Sequence, residues 1–580
     1  MTCRIFKITS FCLWALCWGC VGSNGTSPAA KGDWLDTETV DSEAGTGVVP
    51  VDTSAIEQIE LSDVGVTRNP YNRAPLCAII SAYHNELQPA DVTEIHVTVS
   101  KKGGASDLAA VLNPRSDAFL ANFDMSDIVE PGEVGIPILG LYADYDNDVA
   151  FQIRTPAMYF NGRATISTGP LSSREGELVT VPVLNPEKME PGWTYLNDQV
   201  FDHDGNIRWM GPPIHRIRSD GNIISRLDDH NWLGKKLVNR TLPSNLVHHH
   251  DTVELPGGNT LIGVTDHNSV IINYAGETVE AVQDAAVEYD NRTGKIVNYW
   301  DLREFLDVNR ATWLGQEGDW FHLNTLCYDN YDDSVIMSGR HQGIVALTRG
   351  GILGATPNAG KQLKWILSPH MGWNESGWNG LGERDPRAYL LTAVDPDGVP
   401  YSEDVQNNIG LPAPNADDFF WPSGQHGLVI TYRAKNIIRL LTFNNEASII
   451  YDGADSIDNG SWFDRTGDRS NDRAETPFSQ IIEYEIDEAE MTVKQIWRFG
   501  ENMPALYGAY QSGVDVLPVT GNRMVVSTGV DMVDVENNPR NPTVIELNAD
   551  NEIVFYLEIK ETTQLAYRGG RIDLYHPGGE

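Results

Sequence analysis

Residues 319–347 read DWFHLNTLCYDNYDDSVIMSGRHQGIVAL, and within them a histidine, an asparagine and an arginine are spaced to meet. Two short runs, 322–328 and 334–340, flank a turn of Asp, Asn and Tyr residues, which is hairpin chemistry. Paired positions in an antiparallel hairpin sum to a constant. Setting Tyr328 against Ser334 therefore puts His322 opposite Arg340, with Cβ atoms about 4.5–5.5 Å apart. Asn324, two residues on, projects to the same side as His322. A His, an Asn and an Arg on one patch make an anion site. The hairpin alone leaves a second reading open, in which His322 and Asn324 cap a strand end while Arg340 pairs with a carboxylate.

Two further stretches carry imidazoles. Residues 245–251 read NLVHHHD, and residues 421–428 read WPSGQHGL. His248, His249 and His250 with Asp251 are a metal-ligand set by residue type. Neighbouring residues of a strand face opposite ways, however, so His249 joins the other two only if the strand bulges, and neither a metal nor any other cofactor is expected. His426 stands between Gly424-Gln425 and Gly427, where small neighbours permit a ligand to come close, although a lone histidine in such a place is more often structural. Trp320, Phe321, Phe420 and Trp421 either wall a phenyl ring or fill a core.

With these stretches together the chain resembles the bacterial aryl-sulfate sulfotransferases, which move a sulfo group from one phenol to another without a nucleotide donor. The resemblance spans roughly residues 68–577, from NPYNRAPLCAII to AYRGGRIDLYHP, and its most specific piece is the WxHxN…YDxxDDSxIxSxRHQ block at 320–342. It implies that His426 is the nucleophile, taking the sulfo group as a transient sulfohistidine in a ping-pong reaction. The family's two histidines and acidic residue align with His249, His250 and Asp251, and its functional histidine corresponds to His250. His249 then becomes a neighbour that helps hold substrate, and the extra His248 is a departure. The chemistry suits the residues: Arg340 is a permanently charged fork for two sulfonyl oxygens, Asn324 donates a further hydrogen bond, and His322 and His250 serve the phenolic oxygen. Trp320, Phe420 and Trp421 are the candidate ring contacts. The partners implied are a phenolic sulfate donor and a phenolic acceptor, and the family forms homodimers; the alternative readings are a non-catalytic propeller that binds sulfated aromatic ligands and an aryl-sulfate hydrolase. Relatives can carry a short-range disulfide before the QH motif. Residues 395–414 here contain no cysteine, so that loop must be held by other means.

Composition narrows the alternatives. The 580 residues hold 81 acidic against 42 basic side chains, a formal charge of -39, which excludes nucleic acid as a default partner because phosphate binding needs a basic face. An anionic substrate is repelled by such a surface, so the site must supply a local positive field. GATPNAGKQ at 354–362 almost spells a phosphate loop, but its glycine spacing is one residue too long and Gln362 stands where Ser or Thr would hold magnesium. Neither Cys77 nor Cys327 has the x-Pro-x-Arg context of a formylglycine sulfatase. The acidic stretches 144–148 and 452–475 lack calcium-loop spacing and read as solvated turns.

The elements that must position these residues are β-strands. Residues 1–20 carry Arg4 and Lys7 ahead of a short apolar run and read as a secretory signal peptide, with Cys20 a candidate lipid anchor; export to the periplasm or cell envelope follows. Residues 21–65 are rich in Gly, Ser, Thr, Asp and Glu and read as a flexible acidic linker. Cys77 and Cys327 are widely separated and read as free buried thiols. Residues 66–178 alternate apolar and polar side chains in short runs and predict a small N-terminal β-sandwich. From 190 to 577 a turn followed by an apolar strand ending near a large aromatic recurs at Trp209, Trp300, Trp365, Trp497 and Tyr556, with a second kind of strand between the copies. Such a repeat predicts a β-propeller of five or six blades; the resemblance implies six. The expected fold is thus all-β, a six-bladed β-propeller preceded by a small sandwich, with histidines from different blades meeting at the axis.

Overall fold

A computed structural model describes residues 56–577 except 104–107, 175, 268–269, 273–277, 281–282, 309, 311–318, 351–359, 374–384, 408–418, 446–477, 529–540, 561 and 563–565. The expected signal peptide, Cys20, most of the linker, the acidic stretch 452–475 and most of the GATPNAGKQ segment lie outside the described residues.

The N-terminal unit packs a five-stranded sheet against a three-stranded one. Its apolar side chains alternate in the strands, as in Glu94–Val99 and Asp146–Arg154, and the inward set fills a core that includes Ile95, Val97, Phe151, Ile153 and Phe160. Both edges of this unit differ from the sequence expectation. Glu57–Leu61, inside the expected linker, is a strand that pairs in parallel with Met158–Ser167. Leu178–Leu184, at the expected end of the sandwich, pairs instead with Ile553–Lys560 of the next unit. Local composition describes neither edge, because each of these strands owes its order to a distant partner.

Among the described residues six sheets of four or five strands follow, antiparallel except where Thr392–Ala393 pairs in parallel with Thr492–Phe499, and together they make a β-propeller. The first sheet is closed by the C-terminal strand Gly569–Ile572, which pairs with Trp193–Leu196 and ties the two ends of the unit together. The inner strands Leu246–Glu254, Leu323–Asp329, His426–Ala434, Gly513–Val516 and Gly569–Ile572 each touch the next. The second sheet, from Arg216–Ile217 to Lys236–Asn239, has strands of only two to four residues and carries no copy of the aromatic repeat. A sheet of this kind leaves no mark in a count of aromatic repeats.

The repeat itself has a physical role. Trp209, Trp300, Trp365 and Trp497 all lie on the outermost long strand of a sheet, and each donates its indole N–H to the sheet that follows: to Trp232 O, Thr348 O, Glu488 Oε1 and Asn551 Oδ1. A large apolar ring between sheets with its one polar atom satisfied is the arrangement expected of a buried tryptophan.

Cys77 and Cys327 are unbridged and fully buried. The loop that lacks a cysteine is held by Gln406, in the short helix Glu403–Asn407: its side-chain amide accepts from Ala393 N–H and donates to Ala393 C=O, while its own C=O accepts from His370 N–H.

Candidate active site

The inner strands bring His249, His250, His322, His341 and His426 to one end of the axis, and most of the placement is done by irregularities in those strands. In Leu246–Glu254 the pairing slips between His248 and Thr252, and His250 takes a left-handed backbone with φ 61°. The bulge cancels the alternation that keeps neighbours apart. The rings of His249 and His250 lie 4.3 Å apart, and each lies 5.3 Å from His322. The sequence argument that His249 and His250 face opposite ways is therefore corrected: the strand bulges.

The hairpin 323–339 shows a similar adjustment. At its turn the register is Asp329 with Ser334 and Tyr328 with Val335, one residue away from the expected Tyr328–Ser334 pair. A bulge at Asn324 restores the expected sum, so Leu323 faces Gly339 and Arg340 N–H donates to His322 C=O at 2.9 Å. His322 also has positive φ, 54°. Non-glycine residues rarely tolerate that region, and here it occurs on two of the candidate catalytic histidines and again at Gln511 and Ser512, beside the same ring of groups.

Each histidine is oriented by a specific partner. His249 Nδ1 lies 2.7 Å from Asp284 Oδ1; burial disfavours its charged form, but the Asp284 carboxylate outweighs burial and shifts its pKa upward. His322 Nδ1 lies 2.9 Å from Asp319 Oδ2. Burial opposes a charge on Asp319, yet the adjoining His322 holds that carboxyl below the usual range. His341 Nδ1 donates to Asp319 C=O at 2.7 Å, and burial lowers its pKa to about 3. Burial and then the neighbouring imidazoles hold His250 well below the histidine range, and its ring stacks on Tyr567 at 5.9 Å.

His426 is the most tightly specified. It is 2% exposed, and its Nδ1 faces two acceptors, Gly424 C=O at 3.0 Å and Asn445 Oδ1 at 2.8 Å. The Asn445 amide is fixed because its Nδ2 donates to Gly508 C=O and to Gln511 C=O. With two acceptors on Nδ1, that nitrogen carries the proton and Nε2 carries the lone pair. Burial, reinforced by the Arg340 charge, keeps the ring neutral by holding its pKa well below the usual value.

Arg340 Nη2 donates to Ala509 C=O at 3.3 Å, which aims the guanidinium across to the sixth sheet. Asn324 is fully buried, and its Nδ2 donates to Gln425 C=O at 2.6 Å, the residue before His426. It thus braces the His426 strand from the neighbouring sheet. Gln425 returns the contact, donating to Ser338 Oγ and Gly339 C=O. Asp251 faces away from the histidines into a buried ion pair with Arg216, also accepts from Leu326 N–H, and lies 3.5 Å from Arg568. His248 turns toward Thr252 Oγ1 and His215, with burial lowering its pKa to about 3.

Two expectations change here. Trp320, Phe420 and Trp421 are at most 3% exposed and sit in the cores between sheets, Trp320 beside Phe321, and Trp421 against Phe419 with its N–H on Val405 C=O. Their packing against neighbouring core side chains is the core-filling alternative of the two that the sequence left open. Gly427 does not leave room for a ligand: a Cβ there would lie 2.8 Å from Gly513 Cα, so the glycine lets two inner strands touch. Sequence reasoning missed Asn445, Tyr567, Asp284 and Asp319. Asp319 and Tyr567 stand in the stretches that carry the resemblance, whereas nothing local distinguishes Asn445 or Asp284 from turn and edge residues.

Fold and site together form a β-propeller with histidines and an arginine gathered at its inner strands. The family model described as Arylsulfotransferase (ASST) matches residues 186–568, and its Ig-like N-terminal domain matches residues 65–161. The chain belongs to the arylsulfotransferase family and is a transferase. It is 24% identical over 538 residues to "Arylsulfate sulfotransferase AssT" of Lelliottia amnigena and 26% identical over 541 residues to the protein of the same name from Escherichia coli O6:H1 (strain CFT073). In both cases 75% of this chain and 79% of the relative are covered. Among solved structures, the Myceliophthora thermophila Cps50 (Swd1) β-propeller domain matches 72% of this chain and 91% of its own at 9% identity and a TM-score of 0.23.

Proposed function

We propose that this protein transfers a sulfo group from a phenolic sulfate ester to a phenolic acceptor in two steps, through a sulfohistidine at His426. The observation that carries the reading is the fixed tautomer of His426, whose Nδ1 is held by Gly424 C=O and Asn445 Oδ1. The Nε2 lone pair attacks sulfur, the S–N bond forms and the S–O bond to the aryl group breaks. Arg340 stabilises negative charge on the sulfonyl oxygens, and His322, whose Nδ1 faces the Asp319 carboxylate, gives a proton to the departing phenolate, with neutral His250 beside it at the phenolic oxygen. In the second step the acceptor hydroxyl gives its proton back to His322, its oxygen attacks sulfur, and the S–N bond breaks to regenerate neutral His426. In-line positioning and oxygen-charge stabilisation supply most of the rate, as in phosphoryl transfer. We read each of the six sheets as one blade, and the basic, then apolar, first 20 residues as an export signal that delivers the enzyme to the cell envelope.

The test is nitrophenol release from 4-nitrophenyl sulfate, with and without phenol, for wild type and His426→Ala. Phenol-dependent release by the wild type, with phenyl sulfate accumulating and the variant falling by at least about 10³-fold, is the expected outcome. Acid-labile, base-stable sulfur-35 on the wild type in the absence of acceptor identifies the intermediate. Equal release without phenol makes the protein a hydrolase. Unimpaired transfer by His426→Ala removes that residue from the mechanism.

A further inference from the structure

The bulge in Leu246–Glu254 assembles more than a pair of acid–base groups. His249, His250 and His322 each offer one ring nitrogen, and these nitrogens all lie within 4.8 Å of one another. Two of the three are oriented in the way that metal-bound imidazoles are. His249 Nδ1 is engaged by the Asp284 carboxylate and His322 Nδ1 by the Asp319 carboxylate, which leaves Nε2 as the liganding atom of both. Asp284 is itself fixed, accepting from Thr265 Oγ1 and from Leu323 N–H. A three-histidine set with carboxylates behind it suits zinc, which takes ligand nitrogens at about 2.0–2.1 Å and keeps a fourth position open.

We propose that His249, His250 and His322 form a binding site for a divalent transition-metal ion of the zinc type, and that such an ion inhibits the enzyme reversibly. Tetrahedral coordination brings ligand nitrogens to about 3.4 Å apart, so the three rings close on the ion by rotating about their side-chain bonds. Three nitrogen–metal bonds form, and any proton on a liganding nitrogen leaves to solvent. The net charge of -39 favours the approach of a dication and opposes that of an aryl sulfate. The ion occupies His250 and His322, the imidazoles assigned above to the phenolic oxygen. Inhibition therefore rests on the proposed function, whereas binding does not.

Binding is read directly by calorimetry with Zn²⁺ on metal-stripped wild type at pH 7.5 and by the visible spectrum with Co²⁺. The wild type takes up one equivalent, and Co²⁺ gives the intense absorption of a tetrahedral site. His249→Gln/His322→Gln weakens Zn²⁺ binding at least a hundredfold. Asp284→Asn, which removes only the carboxylate behind His249, weakens it by about 10–100-fold. His203→Gln, whose ring lies on Gly192 C=O in the first sheet, changes nothing. Wild type that takes up no Zn²⁺, Co²⁺ without the tetrahedral spectrum, or the same one equivalent bound by the double variant each overturn the proposal. The Co²⁺ spectrum of the wild type decides the matter if the double variant does not fold. Wild-type turnover of 4-nitrophenyl sulfate then falls with added Zn²⁺ and returns with chelator. Binding without inhibition keeps the metal site and removes its regulatory role.

Discussion

The nucleophile proposed at His426 must be neutral and must present a lone pair to its target, and two different features provide these. Burial and Arg340 keep the ring neutral, while Asn445 and Gly424 keep the proton on Nδ1. They are separable by substitution. Asn445→Asp places a carboxylate on Nδ1–H, which favours the imidazolium and raises the His426 pKa. The neutral fraction is then lost at higher pH, so the acid limb of the kcat/KM profile moves upward by at least one unit, with kcat on the plateau reduced about tenfold or less. An unmoved limb would mean that another group governs it. The same logic explains what the sequence showed at this scale. His322 and Arg340 could be picked out by the register of their hairpin and His426 by the family resemblance, whereas Asn445 matters only through the direction of its amide, which Gly508 and Gln511 fix from another sheet.

Regular strands bring residues to the axis, and departures from regularity aim them. The bulges at 248–252 and at Asn324, with left-handed backbone at His250 and His322, turn side chains that alternation would separate toward one point. Pairing and apolar alternation are legible in sequence, whereas a bulge is one residue whose position depends on the neighbouring strand. The hairpin register shows this well, since the expected turn was one residue off and the bulge still put His322 beside Arg340. Close packing of inner strands is a second element-scale constraint. Gly427 has φ 61° and its missing Cβ would lie 2.8 Å from Gly513 Cα. Gly427→Ala should therefore destabilise the fold by about 1–3 kcal/mol, lowering the urea midpoint, and should reduce turnover more than binding because His426 shifts with its strand. A variant with wild-type stability would show that the two strands can part at no cost.

At the scale of the whole molecule the axis is a store of buried neutral histidines. His215, His248, His250, His341 and His426 all have pKa values lowered by burial, to about 3 in His248 and His341. An imidazole whose pKa is lower folded than unfolded contributes stability that is complete above the unfolded value of about 6.5 and is lost as pH falls toward the folded one. Each such group contributes a slope of at most about 1.4 kcal/mol per pH unit. The melting temperature should thus decline steeply between about pH 6 and pH 4, before most carboxylates titrate, and a flat profile in that window would mean the rings are hydrated in the native state. The net charge of -39 acts on substrate approach. Raising NaCl from about 20 to about 200 mM screens the repulsion and should increase kcat/KM for 4-nitrophenyl sulfate several-fold with little change in kcat. A fall in kcat/KM would locate a net positive entrance instead.

The sequence by itself determined the all-β character, the aromatic repeat of the propeller and the residue types of a histidine–arginine centre, because alternation, turn chemistry and side-chain identity are local. Only the tertiary structure decided that His249 and His250 share a face, that Asn324 braces Gln425, that Trp421 is core, and that the strand 57–61 belongs to the sandwich. Each of these depends on contacts between residues far apart in the chain, where the energy of packing and hydrogen bonding is fixed by the partner and not by the local pattern.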